Sequence, residues 1–206
     1  MDPELREAID ECVRVDLASL DPAPRAEALR RVVGALRAQK AQLLDLVLYL
    51  EPALNNSSNP QGRRQAIQFL ADCLKDPSAD LRLNFKHVET FANFFSNKLS
   101  DWQCVEGCVT GLQALLSQSA PQLRTLKADD GGSMVAHIAR TLFKAVHAPS
   151  HTQQVRKCVL DLVRCLLEQW GPEVAALGEA LGEGVLSVTE EERDPRNLLL
   201  AFAISK

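Results

Sequence analysis

The sequence predicts an all-α protein, a HEAT- or armadillo-like α-solenoid of stacked antiparallel helix pairs. Nearly every segment has its apolar residues at helical spacing, and none alternates with the period of two that marks a β-strand. Polar or proline-containing turns separate these helical segments. An apolar pattern also recurs about every 40–50 residues, which is typical of HEAT and armadillo repeats.

Composition narrows the class of protein. The 206 residues are 46% hydrophobic and 24% charged, with a net charge of −4, as in an ordinary folded globular protein. No apolar run reaches the ~20 residues that cross a bilayer, and the acidic, mixed N-terminus is unlike a signal or transit peptide. We therefore expect a protein of the cytoplasm and nucleus, with no membrane partner and with six free thiols.

The first part of the chain predicts three helices. Asp2 and Pro3 supply an N-cap and a first-turn proline for a helix with an apolar face of Leu5, Ile9, Cys12, Val13, Leu17 and Leu20. Residues 21–24 end it and begin a second helix, which carries Leu29, Val32, Val33 and Leu36. A third runs over about 42–54 and ends in the turn at 55–60.

The most informative pattern is an apolar triplet at i, i+3 and i+7. Its three complete copies are Ile67, Leu70 and Leu74; Val109, Leu112 and Leu116; and Val159, Leu162 and Leu166. A helix beginning at Asp194 and Pro195 offers Leu199 and Phe202 as a partial fourth copy. Other amphipathic helices are predicted at about 85–99, 133–147 and 172–188. A non-repetitive bundle would also contain such spacings, but three matched helices, each preceded by a turn, favour the array.

The repeat predicts one continuous solenoid over residues 1–206, with helical pairs at about 1–40, 41–75, 84–118, 132–169 and 172–206. The last helix is still apolar where the sequence stops, whereas a solenoid usually ends in a polar capping repeat. We therefore expect an N-terminal fragment of a longer HEAT array, with apolar surface exposed at its end.

No catalytic or metal-binding constellation is evident. Cys104 and Cys108 share a helix face, but the sequence contains no C-x2-C pair, so the cysteines are expected to pack in the core. The segment 129–133 (DDGGS) lacks the lysine of a phosphate loop and predicts a turn with Ser133 as an N-cap. Glutamates 190–192 lie in a turn, where they favour a helix N-terminus. We expect a protein that is not an enzyme and has no catalytic residue, cofactor or metal.

Four stretches carry a resemblance to a known family. Residues 192–202 (ERDPRNLLLAF), 95–101 (FSNKLSD), 109–115 (VTGLQAL) and 59–70 (NPQGRRQAIQFL) occur in the order and spacing of that family. The chain from about residue 42 to residue 206 resembles the N-terminal region of the MMS-nineteen family (methyl-methanesulfonate-sensitivity, or Dos-interacting transcription regulator, proteins). The first forty residues resemble it only in being helical.

The resemblance implies a HEAT-repeat adaptor of the cytosolic iron–sulfur assembly (CIA) targeting complex. Its clients would be apo-proteins of DNA repair, replication and transcription, such as XPD-type helicases, DNA polymerases and primase. In the family, a C-terminal HEAT region contacts a WD-repeat propeller and its small CIA partner. That region is absent from this sequence, so those contacts are not carried over.

In a solenoid the second helices of the pairs line a groove. Polar positions on these helices are therefore candidate partner-binding residues: Arg64, Gln68, Glu106, Gln113, Arg156 and Lys157. The alternative function is direct nucleic-acid binding in repair or transcription, which requires a basic stripe and a steep salt dependence. The net charge of −4 does not favour nucleic acid as a partner.

Overall fold

A computed structural model describes residues 1–14 and 23–204, and eleven α-helices lie in these two ranges. No β-strand occurs there, and the backbone forms one isolated antiparallel bridge, between Lys127 and Ser133. No helix in the described ranges has both the length and the apolar content to cross a bilayer. The chain divides into two compact units, Met1–Arg82 and Leu83–Lys206. The all-α fold class is confirmed.

The first unit contains two helix pairs. α1 (Pro3–Val13) packs against α2 (Ala23–Arg37), and α3 (Leu43–Leu54) packs against α4 (Pro60–Lys75). α4 also contacts α1 and α2, and a 3₁₀ turn at Pro77–Ala79 packs against α2. α4 is therefore the helix that holds this unit together.

Side-chain caps begin α1 and α4, and the cap at Asp2 is the one that the sequence predicts. The Asp2 carboxylate accepts a hydrogen bond from the backbone N–H of Glu4 at 3.2 Å, and Pro3 occupies the first turn of α1. At the start of α4, the Asn59 side chain accepts from the N–H of Gly62 at 2.9 Å. Each cap satisfies a backbone donor that has no partner within its helix.

The first two helices bury most of the predicted apolar residues. On α1 the buried members are Leu5, Ile9 and Cys12, with Val13 half-buried. On α2 they are Val32, Val33 and Leu36, with Leu29 half-buried. The predicted continuation of the first helix through Leu17 and Leu20, and its end at residues 21 and 22, lie outside the described residues.

The second unit contains seven of the described helices. They are α5 (Phe85–Lys98), α6 (Val105–Gln118), α7 (Ala120–Thr125), α8 (Met134–Ala145), α9 (Gln153–Val174), α10 (Glu179–Thr189) and α11 (Pro195–Ile204). α5 packs against α6, and α8 against α9, with a short turn inside each pair that makes its members antiparallel.

The pairs of this unit stack in two layers. α8 contacts α5 on one side and α10 on the other, and these three helices form the first layer. α9 contacts α6 and α11, and these three form the second layer. The predicted HEAT-like stacking of antiparallel helix pairs is confirmed here. That one continuous solenoid spans residues 1–206 stays a prediction.

The recurring apolar triplets belong to the core. All nine members of the three complete triplets are at most 2% exposed: Ile67, Leu70, Leu74, Val109, Leu112, Leu116, Val159, Leu162 and Leu166. Side chains buried this completely belong to the close-packed interior, where the loss of even one methylene lowers stability. The partial fourth copy differs, because Leu199 and Phe202 are exposed.

The predicted helix at about 172–188 is wrong in its first turns. α9 continues to Val174 past a kink at Trp170, whose φ of −128° is not helical, and a 3₁₀ turn follows at Ala175–Leu177. Pro172 lacks a backbone N–H and begins only the last turn of α9. Gly178 then has a φ of +58°, which favours glycine, and α10 begins after it.

The short helix α7 has no counterpart in the sequence prediction. Six residues are too few to show a helical period. Its Gln122 amide donates to the carbonyl of Leu83 at 3.0 Å, before the start of α5. Its Arg124 guanidinium lies 5.6 Å from the ring centroid of Trp170 at the kink of α9. α7 packs against α5, α6 and α8, beside the helix pairs.

Candidate functional site

The predicted partner-binding residues fall on three helices. Glu106 and Gln113 lie on α6, and Arg156 and Lys157 lie on α9. α6 and α9 are neighbours in the second layer, so the fold brings these four residues onto adjoining helices. Arg64 and Gln68 lie on α4 of the first unit. We call the polar faces of α6 and α9 the second-layer face, defined by Glu106, Thr110, Gln113, Lys157, Asp161 and Arg164.

The α6 part of this face follows one helical stripe. Glu106, Thr110 and Gln113 are half-buried and lie about one turn apart, in a stripe beside the buried Val109. The Thr110 hydroxyl donates to the carbonyl of Glu106 at 2.8 Å. These side chains are partly held by their surroundings, which leaves less conformational entropy to lose when a partner binds.

The α9 part of the face carries a small ion cluster. The Lys157 ammonium lies 2.6 Å from one carboxylate oxygen of Asp161, and the Arg164 guanidinium lies 3.3 Å from the other. Two cations thus share one carboxylate on the exposed side of the helix. Shared pairing lowers the positive potential that these cations would otherwise present to a polyanion.

Arg156 faces the turn between α10 and α11. Its Nε and Nη2 donate to the Glu192 carboxylate at 2.9 and 3.0 Å, and its Nη1 donates to the carbonyl of His151 at 2.9 Å. This bidentate pair is the strongest geometry available to an arginine and a carboxylate. The guanidinium is engaged within the protein, and its predicted contact with a client stays a prediction.

The Glu192 side chain is only 1% exposed and accepts several further hydrogen bonds. The backbone N–H groups of Arg193 and Asp194 donate to it at 2.9 Å each, and the Asn197 amide donates at 3.0 Å. The bonds from Arg156 are the main reason that the pKa of Glu192 falls from its ordinary value of 4.5 to about 2.

Asn197 completes this cluster. Its side chain is fully buried, donates to the carbonyl of Gln153 at 3.2 Å, and accepts from the Gln153 amide at 3.0 Å. We call Gln153, Arg156, Glu192 and Asn197 the polar clamp, because it joins the start of α9 to the start of α11. Glu192 and Asn197 are the first and last residues of the ERDPRN segment, which carries part of the family resemblance.

Sequence reasoning did not find the clamp. It assigned Glu192 with its two neighbours to a turn that favours a helix N-terminus, and the turn itself is present. The missed signal is Asn197, a polar residue among the apolar residues of a short helix, five positions after a glutamate. A buried amide needs partners, and the sequence alone does not show that Arg156 and Gln153 supply them.

In the first unit, Gln68 has an internal partner. Its amide donates to Asp72 at 2.8 Å, and the other oxygen of Asp72 accepts from Arg25 of α2 at 2.9 Å. Arg25 also donates to the carbonyl of Cys12 at 3.2 Å. Gln68 thus belongs to a network that joins α4 to α1 and α2, while Arg64 is exposed on α4. Their roles toward a partner stay predictions.

The cysteines lie mainly in the core, as the sequence predicts. Cys12, Cys73, Cys104, Cys108 and Cys165 are buried as free thiols, and Cys158 is half-buried. Burial raises the pKa of Cys12 to about 12 and raises those of Cys73, Cys108 and Cys165. Within the described ranges, no three His, Cys, Asp or Glu side chains converge as a metal site would require.

The segment at 129–133 is confirmed as a turn with an N-cap. The Asp130 carboxylate accepts from the N–H of Gly132 at 2.9 Å and pairs with Arg140 at 2.5 Å. The Ser133 hydroxyl accepts from the N–H of Val135 at 3.2 Å and caps α8. This segment holds the start of α8 in place.

Two layers of stacked antiparallel helix pairs place the second unit in the class of HEAT-like helical-repeat structures. The chain belongs to the family described as the Dos2-interacting transcription regulator of RNA polymerase II, whose MMS19 N-terminal model matches residues 47–206. The resemblance found in the sequence is thereby confirmed.

Individual relatives agree with this family. The MMS19 nucleotide excision repair protein homolog of Danio rerio is 33% identical over 166 residues, which are 78% of this chain. The Arabidopsis thaliana homolog of the same name is 27% identical over 179 residues, or 85% of the chain. The DNA repair/transcription protein mms19 of Schizosaccharomyces pombe is 25% identical over 178 residues, again 85%. The chain spans 15–16% of the length of these relatives.

Proposed function

We propose that this chain is a non-enzymatic binding segment of a DNA repair and transcription protein of the cytoplasm and nucleus. We further propose that it serves the cytosolic iron–sulfur assembly targeting system by binding apo-protein clients, such as XPD-type helicases and DNA polymerases. The family, and relatives named for excision repair and transcription, support the repair and transcription role in the first part. One observation supports the second: α6 and α9 place Glu106, Gln113 and Lys157 on adjoining helices.

The chemistry of the second-layer face suits a folded protein partner. It combines the carboxylate of Glu106, the amide of Gln113 and the shared cations at Asp161, so it can both donate and accept hydrogen bonds. Interfaces between proteins have such a mixed composition. A nucleic-acid site would instead align unshared cations along a phosphate backbone.

The second-layer face is proposed to contribute to client binding mainly through charge complementarity with the client surface. Its ion pairs are exposed, and exposed pairs contribute little stability to the fold. Across an interface, however, a mismatched charge is costly, so the same groups can discriminate between clients. Contacts to a WD-repeat propeller and its small partner are not part of this proposal for the present chain.

The test measures binding to an apo iron–sulfur helicase of the XPD type. The chain is immobilised, and affinity is measured for the apo helicase and for the same helicase after cluster reconstitution. Glu106→Lys, Gln113→Ala and Lys157→Glu are combined in one variant, which leaves the net charge unchanged. The charge-matched control combines Lys86→Glu with Glu89→Lys, the two partners of an exposed ion pair on α5 of the first layer. We expect the combined variant to lose at least about tenfold in affinity and the control to lose less than about twofold.

Two results would contradict the proposal. One is equal affinity of the combined variant and the unchanged chain for the apo helicase. The other is tight binding of DNA in a mobility-shift titration, with an affinity that falls steeply with salt. The second result would favour the nucleic-acid alternative.

A further inference from the structure

A groove lies between α8 and α10 in the first layer of the second unit. The groove is open to solvent and has a volume of about 330 Å³. Phe143, Leu177 and Ala180 form its apolar lining. Arg140 and Lys144 line the α8 wall, and Glu183 lines the α10 wall. The second-layer face lies on other helices, so the groove is independent of the proposed client surface.

Small residues on α10 create the groove. Gly184 is packed directly against Phe143, and a Cβ at this position would lie 2.3 Å from the ring atom Cγ. One turn earlier, Ala180 is exposed and offers only a methyl group. The two helices therefore approach closely at Gly184, while space for a large side chain remains at Ala180.

The walls of the groove carry opposite charges. On α8, Arg140 is paired with Asp130 at 2.5 Å, and Lys144 follows one turn later. In the described part of the chain, neither Lys144 nor Glu183 forms an ion pair. The groove thus has an available cation on one side of its apolar lining and an available anion on the other.

We propose that this groove binds an amphipathic α-helix of a partner protein, one with an apolar ridge, an acidic flank and a basic flank. An apolar side chain of the ridge enters the cavity, the acidic flank faces Lys144, and the basic flank faces Glu183. Helices commonly bind in this way to grooves between two other helices. Reversing such a helix exchanges its flanks, so the charged walls select the direction in which it lies.

Binding is tested with fluorescently labelled peptides of about four helical turns. The first has a leucine ridge with glutamates on one flank and lysines on the other. The second has the same ridge with glutamine on both flanks. Fluorescence anisotropy should give an affinity for the first peptide at least about fivefold higher than for the second, because opposite charges across an interface favour association.

Variants of the protein identify the groove as the binding site. Ala180→Trp fills the cavity and should weaken binding of the charged peptide at least about tenfold. Ala203→Trp, at an exposed position of α11, is the matched control and should change binding less than about twofold. Circular dichroism checks that both variants fold.

Reversing both wall charges distinguishes a loss of charge complementarity with the peptide from damage to the protein fold. Lys144→Glu or Glu183→Lys alone should weaken binding about fivefold or more. The two together should restore affinity to within about twofold, because the peptide can then bind in the opposite direction. Failure of the double variant to recover affinity would overturn the proposal.

Three other outcomes would also overturn it. These are no binding of the charged peptide to the unchanged chain, equal binding of both peptides, and equal binding to the Ala180→Trp variant. Self-association of the unchanged chain that Ala180→Trp abolishes would assign the groove to a second copy instead.

Discussion

α9 and α11 lie side by side in the second layer, yet the same apolar pattern is buried on α9 and exposed on α11. On α9 the triplet Val159, Leu162 and Leu166 is buried, whereas on α11 Leu199 is 74% exposed and Phe202 is 62% exposed. Apolar periodicity therefore predicts that a helix forms, but not which of its sides meets a neighbour.

The difference arises from what α11 places against α9. Its buried residues are Asn197 and Ala201, and Asn197 is bonded to Gln153 and Glu192. α9 is held mainly by nonpolar packing on several sides, while α11 is oriented by the hydrogen bonds of the polar clamp. Hydrogen bonds are directional, and this fixes the face that α11 turns inward.

The largest expected effect compares a buried leucine with an exposed one. Leu112→Ala should lower the free energy of unfolding by about 2–5 kcal/mol, because it leaves a cavity in the core between helix pairs. Leu199→Ala, the same change at an exposed site, should cost no more than about 0.5 kcal/mol. Urea denaturation of both variants measures the difference, and equal costs would contradict the assigned faces.

The polar clamp provides the second comparison. Glu192→Gln should destabilise the protein by about 3 kcal/mol, the lower end for breaking a buried pair, since the Arg156 side chain is still 21% exposed. Glu191→Gln, at the exposed neighbouring position, should change stability by less than about 0.5 kcal/mol. A Glu192 variant as stable as the Glu191 control would show that the clamp does not hold α11.

The loss of stability at acid pH provides the third comparison. Because the pKa of Glu192 is lowered to about 2 in the folded protein, its stabilisation is fully present above its ordinary pKa of 4.5. It is lost as the pH falls from about 4.5 to about 2, at a cost of about 3 kcal/mol.

Stability measured against pH should therefore fall less steeply in Glu192→Gln than in the unchanged chain over this range. Asp194, whose pKa the side chain of Arg196 also lowers to about 2, keeps some acid sensitivity in the variant. Parallel curves for the two proteins would contradict the assigned pKa.

The smallest expected effect lies on the second-layer face. Gln113→Ala should change stability by no more than about 0.5 kcal/mol, because the side chain lies beside, and not within, the packed face of α6. Set against Leu112→Ala, the adjacent residue in the chain, this gives the sharpest check of the orientation of α6. A large loss for Gln113→Ala would mean that the orientation is wrong.

Local signals predicted most of the fold, and long-range contacts account for what they missed. Asp2, Asn59 and Ser133 each cap a helix within a few residues, so the sequence specifies those starts. The clamp joins Arg156 to Glu192, 36 residues away, and no local pattern pairs them. Of the candidate site residues, those on α6 and α9 could be assigned to adjoining helices from the repeat. The engagement of Arg156 and Gln68 by internal carboxylates could not.

The two tryptophans make the second unit observable without a label. Trp170, at the kink of α9, is 1% exposed and lies beside Arg124, whereas Trp102, in the turn before α6, is 70% exposed. An aqueous quencher such as iodide should reach Trp102 and leave the emission of Trp170 almost unchanged. Iodide quenching of the Trp170 emission would report that the contact between α7 and the kink of α9 has opened.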